Sequence, residues 1–152
     1  MSDEWGTDKQ LLRELIQASG INPVFDYAAS RTTKLLPDGW SENDNSLLRQ
    51  WKKDGFLNPP NSKLRDFWTH AFHQWKQHRI NLIILSPANV ISARYFKPVW
   101  EYLCKREQVC KAIYPLYVRP KFKSLDGKSS DMWSSRNPYI AVFLYGISDN
   151  VQ

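Results

Sequence analysis

The sequence predicts an α/β fold in which helices cover a mostly parallel sheet, and three observations carry that expectation. Asn81-Leu-Ile-Ile-Leu-Ser86 is a short uninterrupted apolar run, the pattern of a central parallel strand buried on both faces. Just before it, Leu64, Phe67, Trp68, Ala71, Phe72 and Trp75 recur three and four residues apart, the continuous stripe of an amphipathic helix. Strand and helix then alternate, and two late strands close the chain, an order typical of α/β proteins.

Taken in order, residues 8–19 read as a helix with Leu11, Leu12, Leu15 and Ile16 on one face, Thr7 as N-cap and Gly20 as stop. Val24-Phe25-Asp26-Tyr27 is a short strand. Residues 28–44 read as irregular and polar, with Pro37 and Gly39 as turn signals. A short helix is expected from Asn45 to Trp51. Gly55-Phe56-Leu57 is a second short strand, ended by Asn58-Pro59-Pro60. The striped helix is placed from Ser62 to Gln77 and another from Ala93 to Cys104, with Pro98 irregularising its first turns. Val109–Val118 and Tyr139–Tyr145 are the closing strands. No repeat or low-complexity tract interrupts the chain, so residues 1–152 are read as one domain.

Composition excludes several classes. With 42% hydrophobic and 24% charged residues the chain is globular rather than disordered. No apolar run is long enough to span a membrane, and Met-Ser-Asp-Glu-Trp at the start has no apolar signal segment, so a cytoplasmic protein is expected. Cys104 and Cys110 are too few for a disulfide framework or a zinc site and read as free thiols. His70, His73 and His78 lie off the apolar stripe with no further ligand at suitable spacing. They read as solvated helix residues, and no metal is expected. P-loop, nucleophile-elbow and dinucleotide glycine motifs are absent.

The charge is one-sided. Residues 1–76 hold ten Lys/Arg and ten Asp/Glu, whereas residues 77–152 hold eleven against five. A basic half is the footprint of a polyanion partner, though a solubility charge gives the same count.

Three patterns offer chemistry. In Asn58-Pro59-Pro60-Asn61 the prolines hold the chain extended between a strand and a helix, which aims the Asn58 side chain and Pro59 carbonyl beyond the strand's C-terminal end. Ligands of open α/β sheets bind there, and two acceptors side by side suit an amino group. A plain helix-entry turn would look the same. Asp26 and Asp44 follow strand-like or turn segments, where an acid holds ribose hydroxyls or amines of a nucleotide-like ligand or caps a helix. Arg94-Tyr-Phe-Lys97 and Tyr117-Val-Arg119-Pro-Lys121-Phe-Lys123 alternate cations with aromatic rings, suited to phosphates and bases or to guarding an edge strand.

In order along the chain these segments resemble the phage-type DNA adenine methyltransferases. Trp5-Gly-Thr7 is similar to that family's Trp-x-Thr-Pro box, and Phe25-Asp26-Tyr27-Ala28-Ala29 to its cofactor motif. Trp40 to Leu47 is similar to the segment with a second acid, and Phe56-Leu-Asn58-Pro59-Pro60 to the Asn-Pro-Pro-Tyr catalytic motif. Leu82–Ala88 with Arg94-Tyr95-Phe96 is similar to the following strand and helix, Tyr117–Phe122 to the Gly-Arg-x-x-Phe hairpin, and Pro138–Leu144 to the closing strand. Two departures stand out: Asp8 replaces the proline of the first box, and Asn61 replaces the aromatic that stacks on the flipped adenine.

The resemblance implies a Rossmann-like methyltransferase three-layer sandwich with a mixed, mostly parallel sheet, and a phage or prophage origin. It implies S-adenosylmethionine as cofactor, with Trp5, Thr7, Asp26, Ala28 and Asp44 beside it. DNA is the implied partner, held by Arg94, Arg119, Lys121 and Lys123, and Asn58, Pro59, Pro60 and Asn61 form the catalytic motif. The implied reaction is direct methyl displacement by the adenine amine, with Phe56 or Trp68 as substitute stacking residues. Two rivals stand beside it: a non-catalytic module binding DNA or cofactor, and a methyltransferase for a protein glutamine amide.

Overall fold

In a computed structural model, residues 6–7, 9–29, 35–105, 110–113, 121–123, 132–134 and 138–146 are described. The elements in chain order are β1 (Gly6–Thr7), α1 (Lys9–Ser19), β2 (Phe25–Asp26), β3 (Asp38–Gly39), β4 (Gly55–Leu57), α2 (Leu64–His78), β5 (Leu82–Pro87), α3 (Lys97–Lys105), β6 (Cys110–Ile113), β7 (Lys121–Lys123), β8 (Met132–Ser134) and β9 (Tyr139–Leu144). Short 3₁₀ turns cover Glu42–Asp44, Ser46–Leu48, Asn61–Lys63, Ala88–Ser92 and Arg94–Phe96.

Every residue of β5 and of β9 is buried, so these two apolar strands form the middle of the sheet. Six strands lie in the order β3-β2-β4-β5-β9-β6. β2 runs parallel to β3 and β4, and β4 parallel to β5, while β9 is antiparallel to both β5 and β6. The sheet is therefore mixed, with one reversed strand set between parallel ones. The central place of β5 agrees with its apolar run, but only one of its neighbours is parallel.

Side-chain alternation divides the sheet between two cores. Leu57, Leu82, Ile84, Ile140, Val142 and Leu144 pack with Phe67, Trp68, Ala71 and Trp75 of α2 and Val99 of α3. Phe56, Ile83, Leu85, Ala141 and Phe143 pack with Leu12 and Leu15 of α1. The α2 stripe thus faces one core, and its one buried polar residue, Gln74, accepts the Trp51 N–H at 2.8 Å. The Trp68 indole N–H donates to Ser86 Oγ at 3.1 Å, the partner a buried Trp needs.

Several expectations are corrected. Thr7 is not the N-cap of α1: it pairs with Phe122 in a second sheet of order β1-β7-β8, and α1 starts at Lys9. Gly20 does end α1, at φ +74° with its N–H on Ile16 O at 2.8 Å. Within the stretch read as irregular, Asp38–Gly39 forms an edge strand, and Asn45–Trp51 contains one 3₁₀ turn instead of a helix. Asn45 at φ 52° breaks that segment. The third helix begins at Lys97, after two 3₁₀ turns, and Pro98 sits in its first turn, where a missing N–H is harmless. The last expected strand but one is observed over Cys110–Ile113, and its stretch from 114 to 118 lies outside the described residues.

Candidate active site

β2, β4 and β5 are parallel neighbours, so their C-terminal ends open at one edge. Asp26 is opposite Phe56 and Leu57 opposite Ile84, which sets Asp26, Asn58 and Pro87 along that edge on three adjacent strands. β9 starts at the same edge, with Tyr139 opposite Pro87 and Ala88 N–H donating to Pro138 O at 2.8 Å.

The Asp26 side chain is 6% exposed. Burial pushes its carboxyl up to about 7, and a hydrogen bond from Ala28 N–H to Oδ1, at 3.1 Å, pulls the other way. Residues 27–29, which follow directly, are not helical, so Asp26 does not cap a helix beginning there. Ala28 is half-buried against the core and takes part through its backbone N–H. The Asp26 carbonyl accepts the Trp40 N–H at 2.9 Å, which ties β2 to the segment carrying the second acid. Gly39 makes this approach possible. A Cβ there would lie 2.7 Å from Asp26 O and 3.0 Å from Asp26 Cβ.

Asp44 is the third residue of its 3₁₀ turn. Its Oδ2 accepts Ser41 N–H at 2.9 Å and Ser41 Oγ–H at 3.3 Å, so the acid serves as a turn cap. Arg49 Nε donates to Asp44 O at 2.5 Å and holds its guanidinium 5.4 Å from the centre of the half-buried Trp40 ring. Trp40 in turn sits edge-on to Phe25 and Tyr27, at 4.7 and 5.6 Å. The sequence therefore marks both acids, while the link between them through Gly39, Trp40 and Ser41 becomes visible only in space. A glycine after Pro37-Asp38 was its one sign, and it reads equally as a turn.

At the end of β4, Asn58 is half-buried and Pro59 buried. Pro60 is extended at φ −60°, ψ 139°, and its carbonyl accepts Lys63 N–H at 2.9 Å, which starts the turn into α2. Asn61 is exposed at that turn. The tetrapeptide thus forms the helix-entry turn, at the C-terminal end of β4. Phe56 and Trp68 are each 1% exposed and face the two cores, so neither offers a ring to a base.

Arg94 is exposed in the turn before α3. Thr7 and Lys123 are brought together as strand residues of the β1–β7 pair, with Gly6 opposite Lys123, and Lys121 begins β7. The side chains of Thr7, Lys121 and Lys123, and all of Trp5 and Arg119, lie outside the described residues.

The histidines are not uniformly solvated. His70 donates from Nε2 to Arg49 O at 2.7 Å and meets Trp51 edge-on at 5.2 Å, while Nε2 of His78 is buried. His73 is exposed. Among the described residues no three His, Cys, Asp or Glu side chains gather as a metal site, and no helix is long and apolar enough to cross a membrane. Cys104 and Cys110 are free thiols, and burial pushes Cys110 up to about 12.

Comparison with curated proteins and with solved structures gives no match. Comparison with protein-family models does: residues 1–108 match DNA N-6-adenine-methyltransferase (Dam). The matched span holds Asp26, Asp44, Asn58–Asn61 and Arg94, while Arg119, Lys121 and Lys123 lie beyond it. Because the match covers well over half of the sequence and includes the whole edge from Asp26 to Arg94, the chain belongs to the DNA N-6-adenine-methyltransferase (Dam) family.

Proposed function

We propose that the protein transfers a methyl group from S-adenosylmethionine to the exocyclic amine of adenine in DNA. The observation that carries this reading is the Asn58-Pro59-Pro60 turn at the C-terminal end of β4, one strand from the buried Asp26. We read the architecture as a Rossmann-like methyltransferase sandwich of 1–152. Helices on two sheet faces and the reversed β9 between β5 and β6 support that.

The residues fit the cofactor. Among the described residues the Asp26 charge is met by one backbone N–H and no cation, which suits an acid that would accept hydrogen bonds from ligand hydroxyls or an amine. Asp44, tied to Asp26 through Trp40, would stand on the other side, with Ala28 beside Asp26 and Trp5 and Thr7 from the first box. S-adenosylmethionine supplies the methyl group when bound.

The Asn58 side-chain oxygen and the Pro59 carbonyl accept hydrogen bonds from the target amine. They draw its lone pair out of the ring and hold it for in-line displacement. Pro60 keeps both acceptors in place, because its fixed φ stiffens the turn. Positioning and preorganised dipoles provide the rate, and no side-chain nucleophile is required. Arg94, Arg119, Lys121 and Lys123 would hold phosphates.

Calorimetric titration with S-adenosylmethionine, followed by labelled-methyl transfer to mixed DNA, tests the proposal. Binding and transfer are expected. Asn58→Ala should lower transfer about a hundred- to a thousand-fold and leave cofactor affinity intact, because Asn58 faces the target amine. Cofactor or DNA binding without transfer would favour a binding module, the reading that an exposed amide at Asn61 also fits.

A further inference from the structure

A base drawn out of a duplex loses its stacking neighbours and needs a replacement surface. Asn61 offers an amide there, and Phe56 and Trp68 are sealed in the cores. The segments after β4 and β5 open at the same edge, and they meet: the Arg94–Phe96 turn packs on α2, which starts directly after Asn61–Lys63. Phe96 anchors it, fully buried and edge-on to Trp68 at 5.1 Å, and Trp68 is itself bonded to Ser86 near the end of β5.

Its neighbour Tyr95 differs. It packs partly on the same core and is only half-buried. Among the described residues at this edge, Tyr27, Phe56, Trp68, Phe96 and Tyr139 are buried, and the half-buried Trp40 lies on the far side of Asp26 under Arg49. Exposed cations lie on both segments: Arg94 and Lys97 next to Tyr95 in the chain, and Lys63 and Arg65 at the start of α2, the helix on which the Arg94–Phe96 turn packs. The Arg65 contact with Asp66, 3.5 Å long and exposed on both sides, leaves it available to phosphate.

We infer that Tyr95 is the stacking face for the extruded adenine, in the place Asn61 does not fill, with Arg94, Lys97, Lys63 and Arg65 gripping the flanking phosphates. This rests on the proposed DNA methyltransferase reading.

The test uses the full chain and two sets of duplexes of mixed sequence, one fully paired and one with an adenine opposite an abasic site. Wild type should prefer the unpaired adenine. Tyr95→Phe keeps the ring and should retain most of that preference. Tyr95→Ala and Tyr95→Leu should reduce it about five- to a hundred-fold, the range for a lost base–aromatic stack. Tyr95→Leu preserves apolar packing, so a fold defect in Tyr95→Ala, read by thermal melting, does not decide the matter. Asn61→Tyr placed in the Tyr95→Ala background should restore the preference, which no purely structural role of Tyr95 would allow.

No preference in wild type, or an undiminished one in Tyr95→Leu, overturns the assignment. Failure of wild type to bind S-adenosylmethionine or transfer label overturns the methyltransferase reading instead, and is read separately.

Discussion

Asp26 is an acid buried at the C-terminal end of β2. Its neutral form is favoured in the fold, with the carboxyl at about 7 against 3.8 as reference. A folded value raised above the unfolded one means that full stability is present below about pH 4 and is lost as pH rises through 7. A shift of this size corresponds to about 4 kcal/mol. Asp26→Asn removes the titration, so its melting temperature should match wild type near pH 4 and exceed it at pH 8. Equal pH dependence in the two proteins would contradict the burial argument. The same variant should weaken S-adenosylmethionine binding, because the ionised carboxylate is the better acceptor. Gain of stability together with loss of affinity is the signature of an acid kept at a site rather than in a core.

At the scale of elements, the edge is built by short pieces held by close approach. β2 and β3 have two residues each, too few to persist without their neighbours. The ladder continues past them through Trp40 N–H to Asp26 O and Ala29 N–H to Trp40 O, at 2.9 and 2.8 Å. Gly39→Ala would drive a methyl group into Asp26, shift β3 outward and strain both bonds. The expected loss is about 1–3 kcal/mol, seen as a lower midpoint in urea denaturation. Cofactor affinity should fall with it, since the strand joins the segments of the two acids. An unchanged midpoint would show that β3 yields freely and does not position the site.

The molecule as a whole carries its excess charge in residues 77–152. If that half holds DNA, log affinity should fall linearly with log salt, with a slope near −0.9 per phosphate contact. Neutralising Arg119, Lys121 and Lys123 together should flatten the slope by roughly two to three units, measured by fluorescence anisotropy on a labelled duplex. A slope that the triple change leaves alone would deny these residues a phosphate role, since Lys121 and Lys123 already stand in β7 between β1 and β8, and leave phosphate binding to Arg94 and its neighbours. Pairing of β1 with β7 joins the Gly6–Thr7 segment to this basic strand.

By itself the sequence determined what local periodicity encodes. The stripe from Leu64 to Trp75, the apolar runs of β5 and β9, the stop at Gly20 and the stiff Asn58-Pro59-Pro60 turn all stand where their residues require. The ordered boxes likewise suffice to identify the family. Tertiary structure alone decided the direction of β9, because parallel and antiparallel strands buried on both faces share one apolar pattern. It also decided that Asp38–Gly39 is a strand, since two residues carry no period and form one only when Asp26 presents its backbone. Exposure was decided there too. Phe56, Trp68 and Tyr95 are alike as aromatic residues in sequence, and only packing shows the first two sealed and the third half open. Local order follows from each residue's own chemistry, whereas which side chains remain available to a substrate depends on what the rest of the chain covers.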